Sequence, residues 1–224
     1  MLPKTMLLEK LVESGVIAVV RRIPTEKIDR VAESLVRGGV TALEITVDSE
    51  DAFSSIARLS RQLRGVAIVG AGTVIDAEAA AMAIQSGADF LFSPSLHHEV
   101  IRVAARHGKI CVPGVLTPTE MITAIEWGAD LVKLFPAASF GPAYLQAVKA
   151  PFPHIPIIPT GGIDEQNASS FIQAGAAALG IGGTLLDRKL IEAGDFGALE
   201  KTAKTYVELV REARRAGNES GCER

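Results

Sequence analysis

Trp127-Gly128-Ala129-Asp130-Leu131-Val132-Lys133-Leu134-Phe135-Pro136 is the stretch whose reading decides the fold. Its first part ends a helix, because glycine supplies the left-handed residue that stops an α-helix before the chain turns back. Its second part is an apolar run too short for a helix, of the kind that forms a strand buried on both faces. The same junction recurs at Ser86-Gly87-Ala88-Asp89 and at Ala174-Gly175-Ala176-Ala177. A repeated helix-to-strand junction argues for alternating α and β units around a parallel sheet.

Working outward, apolar runs predict eight strands: Val16 to Arg21, Val40 to Val47, Val66 to Ala71, Phe90 to Phe92, Lys109 to Val112, the lysine run, Ile155 to Pro159 and Ala177 to Ile181. Helical patterns lie between them. Thr25 is expected to cap a helix running to Arg37, others run from about Asp51 to Arg64, Asp76 to Gln85 and Leu96 to Arg106, and later ones from Pro142 to Lys149 and Asp164 to Gln173. Thr117-Pro118-Thr119-Glu120 has the cap residue, the proline and the glutamate of a capping box. A long amphipathic helix from about Phe196 to Ala213 closes the pattern. Eight such units without a break in composition predict one domain over residues 1–216. The expected fold is α/β, a (β/α)8 TIM barrel with an N-terminal helix, followed by a frayed tail over residues 217–224. A doubly wound open sheet has the same periodicity.

Composition excludes several functions. Hydrophobic residues make up 48 % and charged ones 22 %, which suits a sizeable core, and with 5 % aromatics that core is aliphatic. A net charge of −3 gives no field for nucleic acid or anionic membranes. No apolar stretch approaches a membrane span, and charges interrupt the N-terminus where a signal peptide would be apolar. Cys111 and Cys222 form neither a disulfide framework nor a metal cluster, which fits a reducing cytoplasm. His97, His98, His107 and His154 are scattered, with no carboxylate at metal-ligand spacing, so no metal is expected. No Gly-x-Gly-x-x-Gly follows the first strand, so a dinucleotide is not indicated.

The lysine is the chemical anomaly. An ammonium among Val, Leu and Phe either snorkels to water or is used, since hydrocarbon cannot replace its hydration. Desolvation favours the neutral amine of a lysine, which forms Schiff bases with ketones. In a barrel of this type, the C-terminal ends of the strands face the active site. Strand side chains alternate, so if Leu43, Ile45, Val132 and Leu134 pack on the helices, Glu44 and Lys133 both point inward. A plain buried salt bridge is the alternative, and such pairs add little stability.

Three glycine-rich segments complete the pattern. Gly70-Ala71-Gly72-Thr73 ends the third strand, where glycines permit close approach and the Thr73 hydroxyl can bind a carboxylate. Thr160-Gly161-Gly162-Ile163 and Gly180-Ile181-Gly182-Gly183-Thr184 follow strands seven and eight, where backbone N–H groups of such barrels hold a phosphate.

These residues together resemble, from end to end, the class I aldolases that cleave 2-keto-3-deoxy-6-phosphogluconate (KDPG) and 4-hydroxy-2-oxoglutarate (KHG). The matching motifs include Val16 to Arg21, Leu43-Glu44-Ile45-Thr46, Gly70 to Val74, Ser93-Pro94, Pro113 to Pro118, Lys133-Leu134-Phe135-Pro136, Pro159 to Ile163 and Gly180 to Gly183. The resemblance implies that Lys133 is the Schiff-base lysine and Glu44 the general acid/base. Arg21, Thr73, Pro94, Phe135 and Thr160 would meet the substrate, and Gly161, Gly162, Gly182, Gly183 and Thr184 the phosphate. It further implies no metal or organic cofactor, a small-molecule substrate yielding pyruvate and glyceraldehyde 3-phosphate (or pyruvate and glyoxylate from KHG), and a homotrimer. Some members have an arginine where Asp48 stands here, and Phe135 to Pro142 also looks like the branch acting on the galactonate epimer, so the sugar acid is left open. An amino-sugar-derived acid, a non-covalent sugar-phosphate epimerase or isomerase, and a non-catalytic sugar-phosphate-binding barrel are the remaining alternatives.

Overall fold

The computed structural model describes residues 3–221. A first helix, α1 (Pro3–Ser14), leads into β1 (Val16–Val20), and then α2 (Ile28–Arg37), β2 (Ala42–Thr46), α3 (Ala52–Gln62), β3 (Ile68–Gly72), α4 (Ala77–Gln85) and β4 (Phe90–Phe92) follow. The chain continues through α5 (His98–Arg106), β5 (Ile110–Val112), β6 (Gly114–Val115), α6 (Pro118–Glu126), β7 (Val132–Leu134), α7 (Gly141–Lys149) and β8 (Ile157–Pro159). It ends with α8 (Ala168–Gln173), β9 (Leu179–Ile181), α9 (Arg188–Ala193) and α10 (Phe196–Gly221).

Every strand pair is parallel. Six strands pair in the order β5-β4-β3-β2-β1-β9 and three in the order β6-β7-β8, making a curled parallel sheet wrapped by helices. Only Pro113 separates β5 from β6, and a bridge between Thr160 and Gly180 joins β8 to β9.

Strand alternation sorts the core into two clusters. Leu43, Ile45, Val132 and Leu134 pack outward with helix residues such as Val31, Leu35, Leu145 and Leu199. Ile17, Ala42, Ile68, Phe90, Phe92, Ile110, Val112 and Ile158 pack inward on one another. Leu11 of α1 is wholly buried in this inner cluster, with Leu7, Leu8 and Val12 against it. Helix α1 therefore stoppers the N-terminal ends of the strands and leaves their C-terminal ends open.

The junction glycines Gly87, Gly128 and Gly175 all have left-handed φ, at 96°, 98° and 99°. Thr117 and Glu120 form a complete capping box on α6. Elsewhere the boundaries shift. Thr25 does not cap α2: it lies in a turn, its hydroxyl is buried without a partner, and the helix starts after Lys27. Helix α8 starts at Ala168, because the Asp164 carboxylate takes the N–H groups of Gln166 and Asn167 and holds those residues in a turn. Helix α10 runs past Ala213 to Gly221, through most of the expected tail, and the rest of that tail, 222–224, lies outside the described residues.

Candidate active site

Lys133 sits mid-strand in β7, fixed by its amide to Pro113 O at 2.8 Å. Only 4 % of it is exposed. Its ammonium lies 5.1 Å from the Phe135 ring centroid and 5.8 Å from that of Phe92, so aromatic faces supply part of its solvation.

Glu44 projects inward from β2 and is fully buried. Among the described residues neither carboxylate oxygen has a hydrogen-bond partner, so no hydrogen-bonded ion pair ties it to Lys133. Burial pushes its pKa up, and the nearby positive charges of Lys133 and Arg21 only partly oppose that. Space for the carboxylate comes from β3, where a Cβ on Gly72 would fall directly on Glu44 Oε1. Gly70 likewise yields its volume to the Phe90 ring. These two glycines make room for interior side chains, whereas the sequence suggested approach to a ligand.

A cavity of about 620 Å³ opens above the lysine. Arg21, Pro94, Lys133, Phe135 and Thr160 line it, together with the loops carrying Gly161, Gly162, Gly182, Gly183 and Thr184. The Thr160 hydroxyl is buried without a partner and occupies the space where a Cβ on Gly180 would sit. Gly162 has φ 75° and its missing Cβ would strike Ala138, so the loop closes tightly on the segment after β7. Among the described residues, the amides of Gly162, Gly183 and Thr184 donate to no protein acceptor. Three free N–H groups at one mouth suit an anion.

Thr73 and Glu44 are absent from the cavity wall. Thr73, at a left-handed φ of 60°, accepts a 2.8 Å hydrogen bond from Arg21 Nη2 at the rim. The Thr184 hydroxyl donates to Ile163 O at 2.6 Å and ties the two glycine-rich loops together. Thr184 thus has its amide, and no hydroxyl hydrogen, left for a ligand.

The sequence reading marked Asp48 as a departure from the family pattern but not its arginine partners, and it missed Arg188. Asp48 lies 3.0 Å from Arg22 and 3.9 Å from Arg21. Burial raises its pKa, but the Thr46 hydroxyl and both guanidiniums outweigh that and hold the carboxyl below its usual range. Arg188, the first residue of α9, also lines the cavity. Neither the pairing of Asp48 nor the placement of Arg188 follows a periodicity or a motif.

A parallel α/β scaffold that buries a lysine beside an unpaired carboxyl, under a cavity with free amides, is built for carbonyl chemistry on a small anionic substrate; the class it defines is the aldolases. The family model described as KDPG and KHG aldolase matches residues 7–202. The chain is 36 % identical to 2-dehydro-3-deoxy-phosphogluconate aldolase of Pseudomonas aeruginosa, over 87 % of this chain and 91 % of that one. It is 35 % identical to 2-dehydro-3-deoxy-6-phosphogalactonate aldolase of Escherichia coli, over 89 % and 95 %. A solved KDPG aldolase from Legionella pneumophila, with pyruvate captured as a covalent carbinolamine, superposes with a TM-score of 0.83 at 25 % identity, covering 92 % of this chain and 98 % of that one. The chain belongs to the KDPG and KHG aldolase family.

Proposed function

We propose that this enzyme is a Schiff-base aldolase that cleaves a 2-keto-3-deoxy-6-phospho sugar acid to pyruvate and glyceraldehyde 3-phosphate. The observation that carries the reading is the buried Lys133 lining the cavity, electrostatically coupled to the unpaired Glu44 carboxyl, with free amides at the mouth. The neutral Lys133 amine attacks the C2 ketone to give a carbinolamine, and loss of water leaves a protonated imine. Glu44, ionised, takes the C4 hydroxyl proton directly or through a water. The C3–C4 bond breaks, its electron pair passes into the imine to form an enamine, and the aldehyde leaves. Protonation at C3 and hydrolysis then free pyruvate and restore the amine. A raised pKa suits Glu44, because an acid/base works best when its pKa lies near the operating pH.

Arg21 and Thr73 would hold the keto-acid carboxylate, Pro94, Phe135 and Thr160 the sugar chain, and the glycine loops the phosphate. Closure of the sheet into a full (β/α)8 barrel over one domain is supported by the nearly continuous β5 and β6 and by the bridge from β8 to β9. A cytoplasmic homotrimer without metal or cofactor completes the reading. Borohydride reduction in the presence of pyruvate will add a three-carbon acid to Lys133, read by peptide mass spectrometry. An unlabelled Lys133, or full activity in Lys133→Ala, would sink the proposal. Turnover retained in Lys133→Arg would point instead to a non-covalent epimerase or isomerase. A cleavage panel of the gluconate and galactonate epimers against KHG, run on wild type and Asp48→Arg, assigns the sugar acid.

A further inference from the structure

We propose that Arg188 is the cationic clamp for the phosphate end of the cavity and sets the enzyme's preference for phosphorylated substrates, an inference that rests on the aldolase reading above. Among the described residues three cationic side chains line the cavity, namely Arg21, Lys133 and Arg188. Lys133 is buried. Arg21 is committed to Thr73 and Asp48. Like the Lys133 ammonium, the Arg188 guanidinium has no hydrogen bond or ion pair among the described residues, and unlike it Arg188 is exposed.

Its base is fixed while its head is free. Leu185 and Leu186 are buried, and both donate their amides to Gly182 O, curling the loop so that α9 begins four residues after Thr184. From the other side, Lys27 Nζ donates to Ile191 O at 3.0 Å and Glu192 O at 2.9 Å, pinning the end of α9. The neighbouring acid, Asp187, is turned to its own backbone and accepts the Lys189 N–H. Arg188 therefore stands beside the loop of Gly182, Gly183 and Thr184 with its charge uncompensated.

The glycine loops need such a partner. Their free amides are neutral donors, and the Thr184 hydroxyl has given its hydrogen to Ile163 O. A phosphate monoester carries a charge of roughly −1.5 to −2 at neutral pH. A guanidinium meets two phosphate oxygens at once and neutralises charge that amides can only orient.

The test is steady-state cleavage by wild type, Arg188→Ala and Arg188→Lys. The substrates are the 6-phospho acid that wild type prefers, its unphosphorylated counterpart and KHG. Arg188→Ala should lower the ratio of kcat/KM for phosphorylated over unphosphorylated substrate about tenfold, through KM, as expected for loss of one charge-assisted contact. Arg188→Lys should recover part of that ratio. An unchanged ratio in Arg188→Ala overturns the clamp. Failure of the aldolase reading looks different: wild type releases no pyruvate from any substrate. Binding of inorganic phosphate by titration calorimetry decides the clamp even then. About tenfold weaker binding in Arg188→Ala supports it, and equal affinity overturns it.

Discussion

The Glu44 carboxyl has neither solvent nor a protein hydrogen bond, so ionising it in the folded chain is opposed by desolvation more than Lys133 and Arg21 assist it. Its folded pKa is therefore above the ordinary 4.5. The sign follows: its contribution to stability is complete below the unfolded value and is lost as pH rises through the raised folded value. Glu44→Gln, which removes the charge and keeps the shape, should leave Tm unchanged near pH 4 and raise it at pH 8, by about 2–4 °C for each kcal/mol recovered. The same variant should lose about 10²–10⁴ in kcat while still forming the borohydride-trapped adduct. Equal Tm values across pH 4–8, checked by calorimetry, would show that the carboxyl is not desolvated. Gly72 belongs to the same argument. Its missing Cβ is the space that Glu44 Oε1 occupies, so Gly72→Ala should cost about 1–3 kcal/mol in urea unfolding and reduce kcat by displacing the carboxylate. Wild-type kcat in Gly72→Ala would mean that the carboxylate position is not critical.

Among the elements, α6 has the most complete local signal. Glu120 Oε2 accepts the N–H of Leu116 at 2.9 Å and of Thr117 at 2.7 Å, while Glu120 N donates to Thr117 Oγ1. Those backbone donors from Thr117 and Leu116 hold the Glu120 carboxyl below its usual range. A depressed folded pKa contributes stability that is present above the unfolded value and lost as pH falls through the folded one. Glu120→Ala should thus cost about 0.5–2 kcal/mol at pH 7, with a Tm gap from wild type that closes as pH drops below 4. A gap of constant width down to pH 3 would remove the carboxylate from the cap. Elements of this kind were legible in the sequence because their signals are local: a cap at Thr117, a left-handed glycine at Gly128, an apolar run from Leu131. The parallel sheet followed from their alternation. Strand β6 was hidden because it is two residues long and Pro113 cuts it off from the run of β5, and α9, with six residues, is too short to show a period. Thr25 misled because a hydroxyl ahead of a helical pattern names a cap without saying where the first turn begins. At the site, Lys133 and Glu44 stood out as polar residues in apolar strands. Arg188 and the pairing of Asp48 with Arg21 did not, because an exposed cation beside a cavity differs from one in water only through tertiary contacts.

At the scale of the whole molecule, helices α1 and α10 meet on the face opposite the cavity. Arg214, late in α10, donates to Val12 O at 2.7 Å, Glu13 O at 3.1 Å and Ala177 O at 2.6 Å. Those carbonyls belong to the end of the α1 helix that stoppers the inner cluster and to the residue two before β9. One guanidinium thus joins the first helix, the last helix and the entry to the last strand. Nearby, Gly15 admits Val210 of α10 so closely that a Cβ would collide with it. The cavity lies at the other ends of these strands, so the closure and the chemistry occupy separate faces, as in barrels where one face serves stability and the other catalysis. Arg214→Leu keeps the apolar stem and leaves partly buried carbonyls without a donor, which costs about 1–3 kcal/mol. Tm should therefore fall by roughly 2–12 °C at 2–4 °C per kcal/mol, while kcat and KM at 25 °C stay at wild-type values. Hydrogen exchange should rise first in α1 and at the start of β9, because those segments lose their shared anchor. If kcat fell in proportion to stability, with exchange rising equally around the cavity, the two faces would have to be treated as a single cooperative unit.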